Sequence, residues 1–457
     1  MATRRTPGAD HDVWVSGPAF IESDRPLARV GRPVREFFRI EAAGSVLLLL
    51  AAAVALVWAN SPWGGTYDTF WHTELSLGVG DWTVTESLQH WVNDALMVLF
   101  FFVVGLEIKY ELVKGDLRDP RAAALPVVAA LGGMAVPALL FLAVTGASGG
   151  EGSHGWGIPM ATDIAFAVGV LGLLGRRIPS TARIFLLTLA IADDVGAILV
   201  IALFYTADLS WQWLLGSLAL LAVMVLLRYR RVWTTSIYVV LGVGVWFTLL
   251  QSGVHATLAG VAIGLLTPSV PLFKEQLARE HAREALADQE LDPDELSRLH
   301  YLLAQSVPPV ERIQAGLHPV SSYLVLPIFA LANAGVSLSG VGEVITSPVA
   351  LGVLLGLVVG KPLGIVAATW LAVRLGLGQL PRGTTWGVVT GLGAVAGIGF
   401  TVSLFIAGLS FPGEESLTSA AKVGILLASA VSAVIGVVVL RLTTRGQDHP
   451  DELALTD

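Results

Sequence analysis

Two adjacent aspartates, Asp193 and Asp194, lie in the middle of the apolar run 185–205, where no other residue carries a charge. The run has about the length that a helix needs to cross a bilayer. One charged side chain at mid-membrane costs roughly 2.5–3.5 kcal/mol even on insertion-based scales. Capping or pinning a neighbouring helix would need only one polar residue. The pair therefore indicates cation binding, proton transfer, or both.

The composition supports a membrane location for this run. Of 457 residues, 54% are hydrophobic and only 14% are charged, which is too apolar for a soluble protein of this size. The apolar residues form long blocks, so we expect one integral membrane domain. Because the chain has no cysteine, disulfides, thiol catalysis and cysteine metal sites are excluded.

The apolar blocks predict an all-α polytopic protein with about twelve transmembrane helices. The predicted spans are 38–59, 87–108, 122–145, 157–175, 184–205, 211–227, 234–250, 254–268, 317–336, 348–373, 385–409 and 418–440. All 28 Lys and Arg residues except Lys361 and Lys422 lie in the two tails or in every second connection. The positive-inside rule makes that side, and both termini, cytoplasmic. The predicted organisation is a cytoplasmic tail (1–36), an integral domain (37–441) and a second cytoplasmic tail (442–457).

Two segments outside the spans have features of their own. Residues 73–85 alternate polar and apolar side chains around Gly78 and Gly80, which predicts an external β-hairpin. A lone hairpin is only marginally stable in water, so we expect it to pair with something, such as another copy of itself. Residues 270–315 are charged and interrupted by prolines. This pattern predicts a cytoplasmic loop with helix at about 274–290.

The ionisable residues away from the ends of the predicted spans form a short set: Asp94, Asp163, Asp193, Asp194 and Lys361. Four carboxyl groups and one amine suit a hard cation, which prefers oxygen ligands, and also suit proton exchange. Neighbouring carboxyl groups titrate as a coupled unit, so a cation that binds between them displaces protons. Adjacent residues on a helix point about 100° apart. We therefore expect one aspartate of the pair to face the cation and the other to face a partner such as Lys361.

Two spans are predicted to be broken helices. Pro159 and the glycines before it interrupt the fourth span next to Thr162 and Asp163, and four glycines within 391–399 interrupt the eleventh. Spans three to five and ten to twelve then form two units of opposite orientation, each with a broken middle helix. This is the signature of an inverted-repeat transporter with its site at the crossing. Asp163 could serve the chemistry or merely cap the break.

The remaining polar candidates allow two interpretations each. Lys361 can pair with an aspartate or carry a proton. The Gly-Lys pair that contains Lys361 is followed by proline, so this segment is not a phosphate-binding loop. With no ATP site visible in the sequence, we expect an ion gradient to drive transport. Two histidines near span ends can be packing residues or pH sensors, and two glutamates at the cytoplasmic end of the second span can belong to a solvated cluster or a cation funnel. These residues are His255, His318, Glu107 and Glu111.

Six motifs resemble the NhaA-type sodium/proton antiporters of prokaryotic membranes, in family order from about 35 to 441. They are Ala-Thr-Asp-Ile-Ala-Phe-Ala, Ala-Asp-Asp-Val-Gly-Ala-Ile, Ser-Gly-Val-His-Ala-Thr-Leu-Ala-Gly-Val, Phe-Ala-Leu-Ala-Asn-Ala-Gly-Val, Gly-Lys-Pro-Leu-Gly-Ile and Gly-Ile-Gly-Phe-Thr. The resemblance implies that Asp193 and Asp194 bind Na⁺ or Li⁺ in exchange for protons. It also implies that Asp163 and Lys361 support crossed broken helices, with Lys361 paired to Asp193.

The resemblance implies further properties. Asp94, Glu107, Glu111 and His255 would tune the pH response, and the hairpin 73–85 would form a homodimer in the prokaryotic inner membrane. The substrates would be Na⁺, Li⁺ and H⁺, with no cofactor and no nucleic-acid partner. This chain departs from the family pattern at Gln314 and Ala315, where an acidic residue and a histidine are expected, although His318 remains. We therefore predict a shifted or flattened pH profile.

Three other classes fit less well. An intramembrane aspartyl protease needs a Gly-x-Gly-Asp motif within a span, and the only such string, 78–81, lies in the predicted hairpin. A channel is compatible with broken helices, but a buried aspartate pair with a lysine suits slow, proton-coupled exchange better. A symporter of organic anions conflicts with an acidic site. Two titrating carboxyl groups predict two protons per cation, hence exchange that moves charge and serves sodium and pH homeostasis.

Overall fold

The computed structural model describes residues 43–444 except 80–81, 151, 207–208, 231, 233–234, 288–291 and 339–340. The predicted N-terminal tail, nearly all of the predicted C-terminal tail and the tip of the predicted hairpin lie outside the described residues. Within them, helices dominate and one small sheet is present. The described part of the chain therefore agrees with the predicted all-α class.

The described residues before 230 form seven α-helices, a 3-10 helix and one hairpin. In chain order the elements are α1 (Ala43–Ala59), α2 (Gly64–Trp71), β1 (Glu74–Val79), β2 (Trp82–Ser87), α3 (Leu88–Trp91, a π-helical turn Val92–Leu96, and Met97–Val113), α4 (Pro120–Ala147), the 3-10 helix Ser153–Met160, α5 (Ile164–Leu174), α6 (Ser180–Phe204) and α7 (Trp211–Tyr229). Two short 3-10 turns, Asp116–Arg118 and Gly175–Arg177, connect α3 to α4 and α5 to α6.

The described residues from 235 onward form helices joined by loops. Its elements are α8 (Thr235–Gln251), α9 (Leu258–Leu266), α10 (Glu275–Ala287), α11 (Pro293–Ser306), α12 (Pro309–Val320, a π-helical turn Ser321–Val325, and Leu326–Asn333), α13 (Val341–Ile345), α14 (Pro348–Leu355, a π-helical turn Gly356–Gly360, and Lys361–Arg374), α15 (Trp386–Ala396), α16 (Phe400–Ser410) and α17 (Glu415–Thr443). The π-helical turn of α14 ends directly before Lys361, and such turns are frequent at functional sites.

The predicted number of spans is not fixed by these helices. The described residues contain seven helices that are long and apolar enough to cross a membrane, or up to nine if each bent pair counts as one span. The bent pairs are α1 with α2, at 114°, and α15 with α16, at 46°. Three predicted spans correspond to shorter helices, because α8 has 17 residues, the main part of α3 also has 17, and α9 has only nine. The figure of twelve stays a prediction.

The predicted hairpin and loop are both found, with different bounds. The hairpin pairs Glu74 with Ser87 at its open end and continues in antiparallel register to Val79 and Trp82. The loop 270–315 contains two helices, α10 and α11, rather than one at about 274–290. Its C-terminal part is already membrane helix, because α12 begins at Pro309 instead of the predicted 317.

The helices pack in two groups. In one group α3 packs on α9 and α12, and α12 packs on α1; in the other, α4 packs on α14, α6 and the 3-10 helix, and α17 packs on α14 and α15. At the α4–α14 contact, a Cβ on Gly132 would lie 2.5 Å from the Gly364 carbonyl oxygen, and one on Gly364 would lie 2.2 Å from the Gly132 oxygen. Only glycines allow this approach. The reciprocal contact joins the first helices of the two predicted repeat units.

Candidate functional site

Both predicted breaks are present, and they contact each other. The fourth span is a 3-10 helix that ends at Met160, an extended stretch 161–163, and α5. The eleventh span ends its first half at Ala396 and starts its second half at Phe400. The backbone N–H of Asp163 donates a hydrogen bond to the carbonyl oxygen of Ile398, at 2.7 Å. We call these pairs of half-helices the first and second broken spans, and their contact the crossing.

One aspartate serves the N-terminal ends of two half-helices at the crossing. Asp163 is the N-cap of α5, and its Oδ1 accepts a hydrogen bond from the backbone N–H of Phe166, at 2.9 Å. Its Oδ2 accepts from the backbone N–H of Thr401, at 3.0 Å, and from the hydroxyl of Thr401, at 2.7 Å. The side chain is 2% exposed. Helix N-termini carry unpaired N–H groups and partial positive charge, and one carboxyl group offsets both.

The C-terminal ends of the other two half-helices meet donors. The Lys361 ammonium donates to the Met160 carbonyl, and the Ser403 hydroxyl donates to the Ile158 carbonyl at 2.7 Å. The Thr162 hydroxyl lies 3.0 Å from the Ala396 carbonyl oxygen. Unpaired carbonyls and their partial negative charge would be costly in a membrane interior. The crossing therefore satisfies its backbone with side chains from both broken spans and from α14.

The aspartate pair lies on α6, an unbroken helix that runs past the crossing. Asp193 is fully buried, and its Oδ2 lies 3.0 Å from Lys361 Nζ and 2.8 Å from the Thr162 hydroxyl. Asp194 is 6% exposed and points in another direction, as expected for adjacent helical residues. Asp193 thus makes the contact with Lys361 that the resemblance implied.

Each aspartate of the pair keeps one carboxyl oxygen without a partner. The Oδ1 atoms of Asp193 and Asp194 are buried and have no hydrogen-bond partner within the part of the chain that the structure describes. A buried carboxyl oxygen without a partner is costly, so such atoms call for an explanation such as a ligand. Two of them on neighbouring residues suit a small hard cation or protons.

The comparisons with known proteins agree with this geometry. A family model described as Na+/H+ antiporter 1 matches residues 35–440. The Na(+)/H(+) antiporter NhaA 2 of Sorangium cellulosum (strain So ce56) is 48% identical and aligns with all of this chain and 98% of its own length. The Na(+)/H(+) antiporters NhaA of Janthinobacterium sp. (strain Marseille) and Rhodopirellula baltica are 48% and 46% identical, over 88% and 92% of this chain and 91% and 96% of their own lengths.

This chain belongs to the Na+/H+ antiporter 1 family. The predicted NhaA-type resemblance is confirmed. Proteins of this family are secondary transporters, so this antiporter-family chain is a membrane transporter and not an enzyme, and the protease alternative is wrong.

The antiporter chain divides its intramembrane charges between two places. Asp163, Asp193, Asp194 and Lys361 gather at the crossing. Asp94 lies elsewhere, in the π-helical turn of α3, where its Oδ2 is 3.8 Å from His90 Nε2 and its backbone carbonyl accepts from the Trp246 indole at 2.7 Å. The structure therefore does not bring Asp94 to the aspartate pair.

The remaining polar candidates of this family member lie at the ends of helices. Next to Asp94, His255 Nε2 contacts the Tyr205 carbonyl oxygen at 2.7 Å. At the end of α3 that is predicted to be cytoplasmic, Glu107 interacts with Gln314 and, electrostatically, with Asp194. Gln314, where the resemblance implies an acidic residue, is thus a partner of Glu107.

The other predicted pH-response residues lie on α3 and α12. Glu111 accepts a hydrogen bond from the Asp116 backbone N–H, at 3.0 Å. An ion pair between Lys114 and Glu311 ties the end of α3 to the start of α12. His318 is exposed on α12. None of these contacts reaches the crossing, so any effect of Glu111 or His318 on exchange has to act at a distance.

Sequence analysis missed two hydroxyl groups at the crossing. Thr401 closes the motif Gly-Ile-Gly-Phe-Thr, yet it was not a candidate, and its hydroxyl and N–H both contact Asp163. Ser403, one turn into α16, was also missed. A usable signal exists, because each lies within one turn of a predicted break, where unpaired backbone groups need partners.

Proposed function

We propose that this chain exchanges cytoplasmic Na⁺ or Li⁺ for external H⁺ across a prokaryotic inner membrane. The observation that carries the proposal is the aspartate pair: two buried carboxyl groups, each with one oxygen that accepts no hydrogen bond from the described residues, beside a buried lysine. The relatives are named Na(+)/H(+) antiporters, which supports Na⁺ and H⁺ as the two substrates.

In this proposal the cation and the protons compete for the same carboxyl oxygens. The free Oδ1 atoms of Asp193 and Asp194 bind the cation, and Thr162 and Lys361 hold Asp193 Oδ2 so that the carboxyl group keeps its orientation. A bound cation favours the deprotonated carboxylates, and its departure lets protons return. The pair then carries either a cation or protons, never both, which is all that coupled exchange requires.

We propose two protons for each cation, because two carboxyl groups titrate. One full cycle then moves one net positive charge, and the exchange rate responds to the membrane potential. Proteoliposomes with an imposed potassium diffusion potential test this directly. A rate that stays the same at potentials of both signs would contradict the ratio.

Asp163 and Lys361 have supporting roles in this proposal. Asp163 has no oxygen to spare, because three donors occupy it. Its proposed role is to hold the two broken spans together rather than to bind the cation. Lys361 supports the pair through Asp193. We further propose that Asp94, Glu107, Glu111, His255 and His318 affect the pH dependence or cation access, and that Gln314 and Ala315 shift or flatten the pH profile.

We also propose a homodimer through the hairpin. A two-stranded sheet leaves unpaired backbone groups along both outer edges, and such edges readily pair with another copy. Because the chain has no cysteine, the variants Ser76→Cys and Thr85→Cys each introduce a single thiol on this hairpin. We expect both variants to form covalent dimers on mild oxidation in the membrane. If the control variant Asp294→Cys forms covalent dimers equally often, that result would count against this interface.

The deciding experiment measures Na⁺-induced dissipation of a pH gradient in inverted vesicles from pH 6.5 to 9. Wild type is compared with Asp194→Asn and with Asp294→Asn, a control on the exposed helix α11. Wild type and the control are expected to respond to Na⁺ or Li⁺, while Asp194→Asn does not. A response of Asp194→Asn equal to that of wild type removes the pair from the mechanism. No response of wild type to either cation at any pH overturns the proposal.

The two remaining transport alternatives give different results in reconstituted protein. A channel would pass single-channel currents and would need no proton gradient. An organic-anion symporter would take up labelled carboxylates with Na⁺. The buried acidic pair favours neither of them, since a carboxylate substrate would be repelled by Asp193 and Asp194.

A further inference from the structure

Tyr205 connects the aspartate helix to both broken spans, far from the aspartates. It is the first residue after α6. Its hydroxyl donates a hydrogen bond to the His154 carbonyl oxygen, at 2.8 Å, and accepts one from the Gly157 backbone N–H, at 3.1 Å. Both partners belong to the 3-10 half of the first broken span. The hydroxyl also interacts with Ser410, the last residue of α16, in the second broken span.

The close contact with Gly157 is fitted to this hydroxyl. A Cβ at Gly157 would lie 2.8 Å from the Tyr205 hydroxyl oxygen and 3.1 Å from Cε2 of its ring. Any side chain at 157 would therefore displace the ring or the half-helix. The absence of a side chain at Gly157 allows the tyrosine hydroxyl to reach the backbone of the half-helix. The hydroxyl then makes a hydrogen bond to one N–H group and one carbonyl group of that backbone.

The backbone of Tyr205 makes a contact in the opposite direction. Its carbonyl oxygen lies 2.7 Å from Nε2 of His255, just before α9. Helix α9 belongs to the other group of helices and packs on α3. Tyr205 thus contacts both broken spans through its side chain and the second helix group through its main chain.

We propose that Tyr205 is a positioning residue. It makes α6 move as one body during exchange with one half of each broken span, namely the 3-10 helix and α16. This inference rests on the proposed exchange cycle. Twelve residues separate Tyr205 from Asp193, or about 18 Å of helix, so the hydroxyl does not touch the cation. Without it, the Gly157 N–H and the His154 carbonyl each lose a hydrogen bond to α6, and the half-helix is held less firmly to that helix. Conversion between the two access states slows, while cation affinity stays the same.

The chain offers a matched control in Tyr67. Its hydroxyl contacts the carbonyl oxygens of Leu331 and Ala332, at 2.9 and 3.0 Å, and accepts from the Gly335 N–H at 3.2 Å. A Cβ at Gly335 would likewise lie 2.4 Å from this hydroxyl. The chemistry matches that of Tyr205, but the partners are the last turn of α12 and the residue two positions after it, not part of a broken span. A purely structural role predicts equal consequences for the two tyrosines.

The test reconstitutes wild type, Tyr205→Phe and Tyr67→Phe into proteoliposomes and measures the maximal exchange rate per folded molecule, the KM for Na⁺ and the melting temperature. We expect Tyr205→Phe to lower the maximal rate about five- to tenfold with a KM within about twofold of wild type. Tyr67→Phe should keep the wild-type rate, although both variants melt earlier.

Equal rates for the two variants overturn the inference, as does a raised KM for Tyr205→Phe at an unchanged maximal rate. Gly157→Ala is a second variant, which keeps the Tyr205 hydroxyl but forces it away from the half-helix. It should lower the maximal exchange rate as Tyr205→Phe does. If Tyr205→Phe does not fold, an unchanged rate in Gly157→Ala overturns the inference. An inactive wild type contradicts the proposed exchange itself, whereas an active wild type with fully active variants contradicts only the role of Tyr205.

Discussion

The two broken spans meet at one crossing, but they are chemically unequal. The first brings its own polar groups to its break, Thr162 and Asp163, and they serve both spans. The second breaks at 397–399 without a charged residue and contributes the hydroxyls of Thr401 and Ser403. The two spans thus share one carboxyl group, that of Asp163, whereas the Lys361 ammonium contacts the first span, at Met160. The difference teaches that one carboxyl group can serve two breaks when the breaks contact each other.

Loss of Asp163 tests this dependence most severely. In Asp163→Ala, three donors on α5 and α16 lose their acceptor, and each buried unsatisfied group costs about 1–3 kcal/mol. We expect unfolding free energy to fall by about 3 kcal/mol or more and exchange to be lost. Asp163→Asn keeps one acceptor oxygen, so its stability and its exchange rate should lie between those of wild type and Asp163→Ala. Thermal unfolding in detergent and vesicle exchange measure both effects, and an Ala variant as stable as wild type would refute the shared cap.

Lys361 affects the first broken span and the aspartate pair, but not the second break. In Lys361→Met, Met160 loses a donor and Asp193 loses its charge partner. Removing one member of a buried ion pair costs about 3–5 kcal/mol. Adding Asp193→Asn removes the unpaired carboxylate, so the double variant should regain most of the stability without regaining exchange. A double variant no more stable than Lys361→Met would show that the pair is not coupled in this way.

The sequence alone predicts the breaks but not how they are joined. Proline, glycine and the isolated charges mark both broken spans and the pair on α6, since each is locally improbable in a membrane helix. The partners could not be foreseen, because Thr401 and Asp163 are 238 residues apart in the chain. Asp94 shares the local signal of the others, yet tertiary packing places its backbone against the Trp246 indole and not at the crossing. Helices such as α9, with nine residues, also show why counting apolar runs does not settle the number of spans.

Thr401 gives a smaller effect that is confined to the link between the two spans. Thr401→Val keeps the backbone N–H bond to Asp163 and removes the hydroxyl bond, which is worth about 1.5–3 kcal/mol to an ionised partner. Thr401→Ser keeps both bonds and should match wild type in stability and exchange. Melting temperatures of the two variants separate the hydroxyl from the lost methyl group. Equal melting of Val and Ser variants would mean that the hydroxyl adds nothing.

Ser403 should give the smallest effect, and its size decides how far the inequality of the two spans extends. Its hydroxyl is a single neutral donor to the Ile158 carbonyl, in the half-helix whose end already receives Lys361 at Met160. Ser403→Ala should therefore cost about 0.5–1.5 kcal/mol and lower exchange by about twofold or less. Suppose instead that Ser403→Ala costs as much stability as Thr401→Val. In that case the first broken span depends on the Ser403 hydroxyl as strongly as the second broken span depends on the Asp163 carboxyl group. The two broken spans would then depend on each other equally, even though the charges come from only one of them.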